Sequence, residues 1–424
     1  MRVLIIKIFL SLCFVVLSQQ AKAQVMGLEM LDGKDHLEID FDYAQGFIIL
    51  NIKFNNTLPL KFILDTGAEH IILFRKEITD ILGLEYEKKI NLIGSDLNRE
   101  VYAYICRNVP IALENTPSLI RDIIVLEEDF LHLEELTGEN IQGIIGSRMF
   151  RGLVMQLDYK KTKLHLYNAM NYPGPPDDDY KEVDITIQKH KPYINSTIIN
   201  ETGDSIQLSL LIDTGAALPF LIFLDTHPSL KIPDHYVKGN LGKGLGGDIE
   251  GYLSKVRKLQ FTPHFEFKNI ITSFQHIDTT IDPKIYLSRN GLLGNPILSR
   301  FDIILNLVNS KMYLKAHKNY NKEFKYDKSG MVIYAFGPEL NNYYVKDVIE
   351  KSPAWNAGIR KGDMIKKIGI WPANFFSLGH ILRKMKGRDG KKINMTMERN
   401  SVKYKTSFVL IDFLSKRESK KAEK

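Results

Sequence analysis

Short apolar runs, each closed by a polar or glycine-rich turn, fill the first three quarters of the chain. Gly46-Phe47-Ile48-Ile49-Leu50, Phe62-Ile63-Leu64 and Leu210-Leu211-Ile212 are of this kind. Runs this short, bounded by turn residues such as Asn55-Asn56-Thr57, predict buried strands rather than helices. Further strands are expected at 90–93, 101–105, 153–157, 164–167, 303–307 and 311–314. A short helix is expected at 75–82, stopped by Gly83. Past residue 327 the pattern changes. Leu378, Ile381, Leu382 and Met385 recur at helical spacing within 375–386, ahead of strands at 392–397 and 403–410. The pattern is that of a mainly β chain with an α+β end.

The pattern also repeats. Asp65-Thr66-Gly67-Ala68 follows Phe62-Ile63-Leu64, and Asp213-Thr214-Gly215-Ala216 follows Leu210-Leu211-Ile212, 148 residues later. At the same offset Leu92-Ile93-Gly94 meets Asn240-Leu241-Gly242, Tyr104 meets Tyr252, and Ile144-Ile145-Gly146 meets Leu292-Leu293-Gly294. A constant register over about a hundred residues marks an internal duplication, and two copies are too few for a solenoid. Two homologous lobes are expected, each bringing one aspartate to a shared interface. A carboxylate at the end of a buried strand is costly without partners. A single Asp-Thr-Gly could be a simple strand-to-turn junction; the paired surroundings favour a site.

Asp-Thr-Gly followed by a hydrophobic-hydrophobic-Gly, in two halves, resembles the aspartic peptidases. The bilobal arrangement resembles pepsin; Ala68 and Ala216, and the short lobes, are more like retropepsins. The resemblance covers roughly residues 45–315. It implies two acid-protease-like β lobes, with Asp65 and Asp213 as the catalytic pair and Thr66, Gly67, Thr214, Gly215, Gly146 and Gly294 as its supports. It also implies flaps at the glycine-rich hairpins, carrying Gly94 in the first lobe and Gly242, Gly244, Gly246 and Gly247 in the second. The plain alternative is a surface hairpin. A phosphate loop is disfavoured because no Lys-Ser or Lys-Thr follows the glycines.

A second resemblance begins near 327. Ser352-Pro353-Ala354, then Ala357-Gly358-Ile359-Arg360-Lys361-Gly362-Asp363-Met364-Ile365, is similar to a PDZ domain. It implies capture of peptide C-termini by strand addition, with a carboxylate loop near Ser329, Gly330 and Met331.

Residues 1–23 read as a signal peptide: Arg2 and Lys7, an apolar stretch from Ile8 to Leu17, and Ala21-Lys22-Ala23. The destination is periplasmic or extracellular, as for a bacterial secreted type. No later stretch is apolar enough for a membrane span. Cleavage would leave Cys106 without a partner, as a buried thiol. The expected organisation is 24–170 as the first lobe, 171–180 as a linker rich in Pro and Asp, 181–326 as the second lobe, 327–415 as the PDZ-like domain and 416–424 as a basic tail. The acidic stretch 24–44 is short and does not resemble a basic propeptide.

Charge follows the same divisions. Residues 24–326 carry 33 Lys and Arg against 40 Asp and Glu; residues 327–415 carry 16 against 8. The basic balance belongs to the C-terminal part, as a solvated face or an aid to binding anionic peptides. Export and the absence of interleaved stacking aromatics argue against nucleic acid. No cofactor or metal is expected: there is no His-x-x-x-His pair, Asp177-Asp178-Asp179 lacks the rest of a calcium loop, and His70 reads as structural. No Gly-x-Ser-x-Gly nucleophile appears. The chemistry implied is peptide hydrolysis by a water shared between two carboxylates, active as a monomer on peptide or protein substrates. The contrasting reading is an inactive peptide-binding scaffold on the same fold.

Overall fold

The computed structural model describes residues 27–94, 100–244, 247–277 and 289–414. The signal segment 1–23, Gly246 and the tail 416–424 lie outside them. Among the described residues no helix is long and apolar enough to cross a membrane.

The chain is mainly β, with four sheets. Two eight-stranded sheets have the same strand order. In the first, Phe47–Phe54 and Leu58–Asp65 form a hairpin, Leu58–Asp65 runs parallel to Gly143–Gly146, and Ile71–Leu73 lies on the far side of Gly143–Gly146. In the second, Lys191–Ile199, Ser205–Asp213, Gly291–Gly294 and Phe220–Phe223 repeat this order. The strands form because their residues are apolar in unbroken runs. Phe62, Leu64, Leu210 and Ile212 are fully buried, each contributing about 1.5–3 kcal/mol, and they carry an aspartate to each strand end.

A six-stranded sheet joins the lobes. Leu153–Asp158 pairs antiparallel with Phe301–Asn306, Val154 opposite Asn306 and Leu157 opposite Ile303, across the pseudo-twofold of the duplication. His36–Asp40 closes one edge against Lys163–Asn168. Leu37 and Ile39 point inward there while Glu38 and Asp40, alternating with them, face out. So part of the acidic stretch before residue 45 is built into the sheet. Residues 169–180 form neither strand nor helix, and Lys315 bonds Asp177 at 2.6 Å and Asp179 at 3.1 Å.

Residues 331–409 form a separate five-stranded sheet with a short sixth strand and their own apolar core. The helix expected over 375–386 is shorter, Leu378–Met385, because Ser377 caps it by accepting from the His380 N–H at 3.3 Å. The helix expected over 75–82 is trimmed to Lys76–Ile81, with Gly83 just past its end at φ +64°. The terminal strands are Lys392–Arg399 and Val402–Val409. This domain is tied to the second lobe by Leu414, buried in the shared core, and by Phe413, whose carbonyl lies 3.0 Å from His235 Nε2.

Candidate active site

The two Asp-Thr-Gly turns meet and hold each other. The Thr66 N–H donates to Thr214 Oγ1 at 3.0 Å, and the Thr214 N–H donates to Thr66 Oγ1 at 3.0 Å. Each hydroxyl then donates onward to the opposite strand, Thr66 to the Ile212 carbonyl and Thr214 to the Leu64 carbonyl, both at 2.7 Å. Both threonines are fully buried. Each hydroxyl thus donates one bond and accepts one inside the protein. That makes the junction rigid, since a broken bond would leave a buried group unpaired.

This junction sets the carboxylates side by side. A Cβ on Gly67 would lie 2.6 Å from Asp213 Cγ, and one on Gly215 would lie 2.3 Å from Asp65 Cγ. Each carboxylate therefore occupies the space a side chain would take in the opposing turn, and only glycine leaves room. Gly146 and Gly294 serve the same turns from behind. A Cβ on Gly146 would meet the His70 carbonyl at 2.5 Å, and one on Gly294 the Leu218 carbonyl at 2.0 Å. Close backbone approach, not conformational freedom, requires these glycines.

Sequence reasoning missed the two residues that pin the turns. Ser147 and Asn295 follow those glycines directly. Their N–H groups donate to the Ala68 and Ala216 carbonyls, each at 2.9 Å, and Asn295 also donates through Nδ2 to the Thr214 carbonyl at 2.6 Å. Their equal spacing in the duplication was the available signal; their unlike side chains hid it.

The pair is asymmetric. Asp65 Oδ1 accepts from the Gly67 N–H at 2.7 Å and the Ala68 N–H at 3.0 Å, whereas Asp213 Oδ1, among the described residues, accepts from the Gly215 N–H alone, at 2.8 Å. Burial raises both pKa values. Asp213 is pushed well above the usual carboxylate range by burial and then by the charge of Asp65. For Asp65, burial is opposed by the bond to Asp213 and by the two N–H donors, so its rise is smaller. Two like charges this close do not both form, so the pair shares one proton.

Two cations stand near the dyad that no motif announced. Lys191 opens the strand Lys191–Ile199, and Arg289 precedes Gly291–Gly294, its guanidinium 5.4 Å from the Phe223 ring centre. Burial lowers both pKa values, and the charges of Asp65 and Asp213 act on both in the opposite direction. His70 is depressed, chiefly by burial, and its Nε2 lies 3.9 Å from Glu69.

The two glycine-rich hairpins are placed differently. The first pairs Tyr86–Ile93 with Glu100–Leu113. Ile90 and Leu92 pack on the first-lobe cluster beside Ala68, while Ile93 packs on the second-lobe cluster that includes Ala216. This strand end, followed by the buried Gly94, therefore spans both aspartate turns. The second hairpin pairs Val237–Gly244, which holds Gly242 and Gly244, with Gly247–Gln260. Its Gly239 faces the C-terminal domain, where a Cβ would lie 3.6 Å from Ile349.

The loop expected to receive a peptide carboxylate is filled from within. The Ser329 and Gly330 N–H groups donate to Asp327 Oδ1 at 2.8 and 2.7 Å, and the Met331 N–H donates to Ser329 Oγ at 3.1 Å. The adjoining edge strand Met331–Phe336 lies against the first lobe's helix Leu133–Thr137. Tyr344 donates to Glu135 Oε2 at 2.9 Å, and a Cβ on Gly138 would lie 3.1 Å from Leu378 Cβ. The backbone N–H groups of the loop expected to receive a carboxylate are engaged by Asp327 and Ser329.

Comparison with known proteins agrees with this architecture in part. The family described as aspartyl protease matches residues 50–149, which include Asp65 and Gly146. No curated protein matches the sequence. Among solved structures, an aspartic proteinase from Irpex lacteus is 12% identical with a TM-score of 0.43, covering 68% of this chain and 99% of that one. The basic 7S globulin from soybean is 10% identical with a TM-score of 0.38, covering 66% of this chain and 94% of that one. On the family match over its first lobe and on its duplicated sheets, the chain has an aspartic-protease-like, mainly β fold.

Proposed function

We propose that this chain is an exported aspartic endopeptidase whose catalytic residues are Asp65 and Asp213. The observation that carries this reading is the reciprocal threonine bonding, which sets each carboxylate against the glycine of the other turn. Two carboxylates this close hold one proton, and a water between them meets both a base and an acid. Asp65, held ionised by two N–H donors, takes a proton from the water as its oxygen bonds to the peptide carbonyl carbon. Asp213, carrying the proton, donates it to the carbonyl oxygen. Collapse of the resulting diol breaks the C–N bond, and the amine leaves with a proton returned through the pair. Thr66 and Thr214 hold the geometry and touch no substrate. Ile93 reaches across both turns, which makes the first hairpin the cover that excludes bulk water. Both aspartates come from one chain, so the monomer is the active unit.

The test is cleavage of an unfolded protein by the full chain in mild acid, with and without a statine-type inhibitor. Inhibitor-sensitive cleavage, unchanged per molecule on dilution, supports the reading. Absence of cleavage from acid to neutral pH overturns it.

A further inference from the structure

The duplication allows the two halves of the site to be compared position by position. Phe47 pairs with Ala44 as Lys191 pairs with Gln188, and Ile49 pairs with Ile63 as Tyr193 pairs with Leu211. Lys191 is therefore the second-lobe counterpart of Phe47. Likewise, the Gln142 N–H donates to the Lys61 carbonyl and Gln142 Oε1 accepts from the Lys61 N–H, both at 2.9 Å. Asn290 makes the same two bonds with Ser209, both at 2.8 Å. Arg289, just before Asn290, is therefore the counterpart of Ile141.

Phe47 and Ile141 are both buried, in one apolar cluster with Ile63 and Ala68 beside the first aspartate turn. The equivalent second-lobe cluster holds Tyr193, Leu211, Leu221, Phe223 and Leu292, with Ala216 and Leu218 against it. At the two matching positions it has a lysine and an arginine. The fold does not need charge there, because the sister lobe folds with an apolar pair. Among the described residues neither cation makes an ion pair or a side-chain hydrogen bond. The carboxylates whose charge reaches Lys191 are Asp65, Asp213 and Glu69; those reaching Arg289 are Asp213 and Asp65. A dyad holding one proton has a single negative charge. Glu69 offsets part of the Lys191 charge, but the carboxylates reaching Arg289 are those of the dyad alone, so its guanidinium stands half-buried with no carboxylate of its own.

We infer that Lys191 and Arg289 form a carboxylate-binding subsite beside Asp213, selecting substrates with an acidic side chain near the scissile bond. The cations take the carboxylate of that residue. Arg suits this because its planar fork can hold a carboxylate through two bonds. The first-lobe side, with Phe47 and Ile141 in the same places, offers no such charge. This rests on the peptidase reading of the same site.

The experiment uses the full chain and peptides that differ only by Glu or Gln at one position, scanned through the three residues on each side of the cleaved bond. Wild type is expected to prefer Glu at one position by about tenfold or more in kcat/KM, in keeping with a charge-assisted hydrogen bond. Lys191→Met with Arg289→Leu, which restores the first lobe's apolar character, should abolish that preference while the Gln peptide is still cleaved. Arg289→Lys should keep part of it. Equal cleavage of Glu and Gln peptides by wild type at every position, or a preference that survives in the double variant, overturns the subsite. If no peptide is cleaved, the peptidase reading has failed. The same Glu and Gln pairs, measured by fluorescence anisotropy on the full chain, then decide the subsite: a Glu preference lost in the double variant supports it, and equal binding overturns it.

Discussion

In the first lobe, the residues flanking the aspartate turn are Phe47 and Ile141, buried in apolar contacts. In the second lobe, the same places in the same sheet hold Lys191 and Arg289. Between the lobes, the turns themselves are nearly superimposable in their bonding: the threonine bonds have the same lengths in both directions. The duplication therefore kept what assembles the dyad and diverged in what surrounds it. The outer surfaces differ too. The first lobe sends Ile93 across the turns and offers Leu133–Thr137 to the C-terminal domain, while the second turns its hairpin toward Ile349. Symmetry is held where two copies must bond to each other and is lost where each meets something else.

The largest test of this comparison is at the dyad. Asp65→Asn and Asp213→Asn should each lower kcat on the order of ten-thousandfold, and the double variant should be little worse, because the pair acts as a unit. Unequal single losses would break the functional equivalence of the two turns.

Next comes pH, where the lobes are expected to differ. The reaction needs the proton on Asp213 and Asp65 ionised, so kcat should fall in strong acid as Asp65 protonates and fall about tenfold per unit above the raised pKa of Asp213. The stability sign is the same. Asp213 titrates higher in the folded chain, so its contribution is fully present below its ordinary pKa of 3.8 and lost as pH rises through the raised value. Asp213→Asn should flatten that slope in denaturation measured from acid to neutral pH, and Asp65→Asn should flatten it less. Equal flattening would place the proton on both sides alike.

The threonines should show symmetry again. Thr66→Val and Thr214→Val each leave a buried N–H of the other turn unpaired, at a cost of about 1–3 kcal/mol in chemical denaturation. Their effects should match and should not add.

The smallest effect concerns the C-terminal domain. Tyr344→Phe removes its bond to Glu135 at about 0.5–1.5 kcal/mol, so amide exchange in 133–138 should rise several-fold while exchange in the second hairpin is unchanged. In the intact chain, a peptide with a free C-terminus should bind residues 331–409 no better than its amide, because Asp327 already occupies the loop N–H groups. Clear preference for the acid would show that Asp327 gives way.

The sequence by itself determined the strands, the duplication and the two aspartates. Apolar runs and a constant spacing are local properties, and they need no knowledge of which strand lies beside which. It also marked Gly67, Gly215, Gly146 and Gly294, though their reason appears only when the opposing carboxylate or carbonyl is seen in the space of a Cβ. Tertiary structure alone decided the rest. Ser147 and Asn295 act through backbone carbonyls far along the chain, so no pattern around them announces it. The spacing of 148 residues fails before residue 58, because the turn joining Phe54 to Leu58 is shorter than the one joining Ile199 to Ser205. Reading at constant offset therefore sets Lys191 opposite Tyr43, and only the strand register reveals its partner as Phe47. Likewise a glycine loop can be recognised from sequence, but whether its N–H groups are free depends on a side chain folding back onto them, as Asp327 does. Spacing survives duplication and is legible; register and the filling of a site are settled only when distant strands pack.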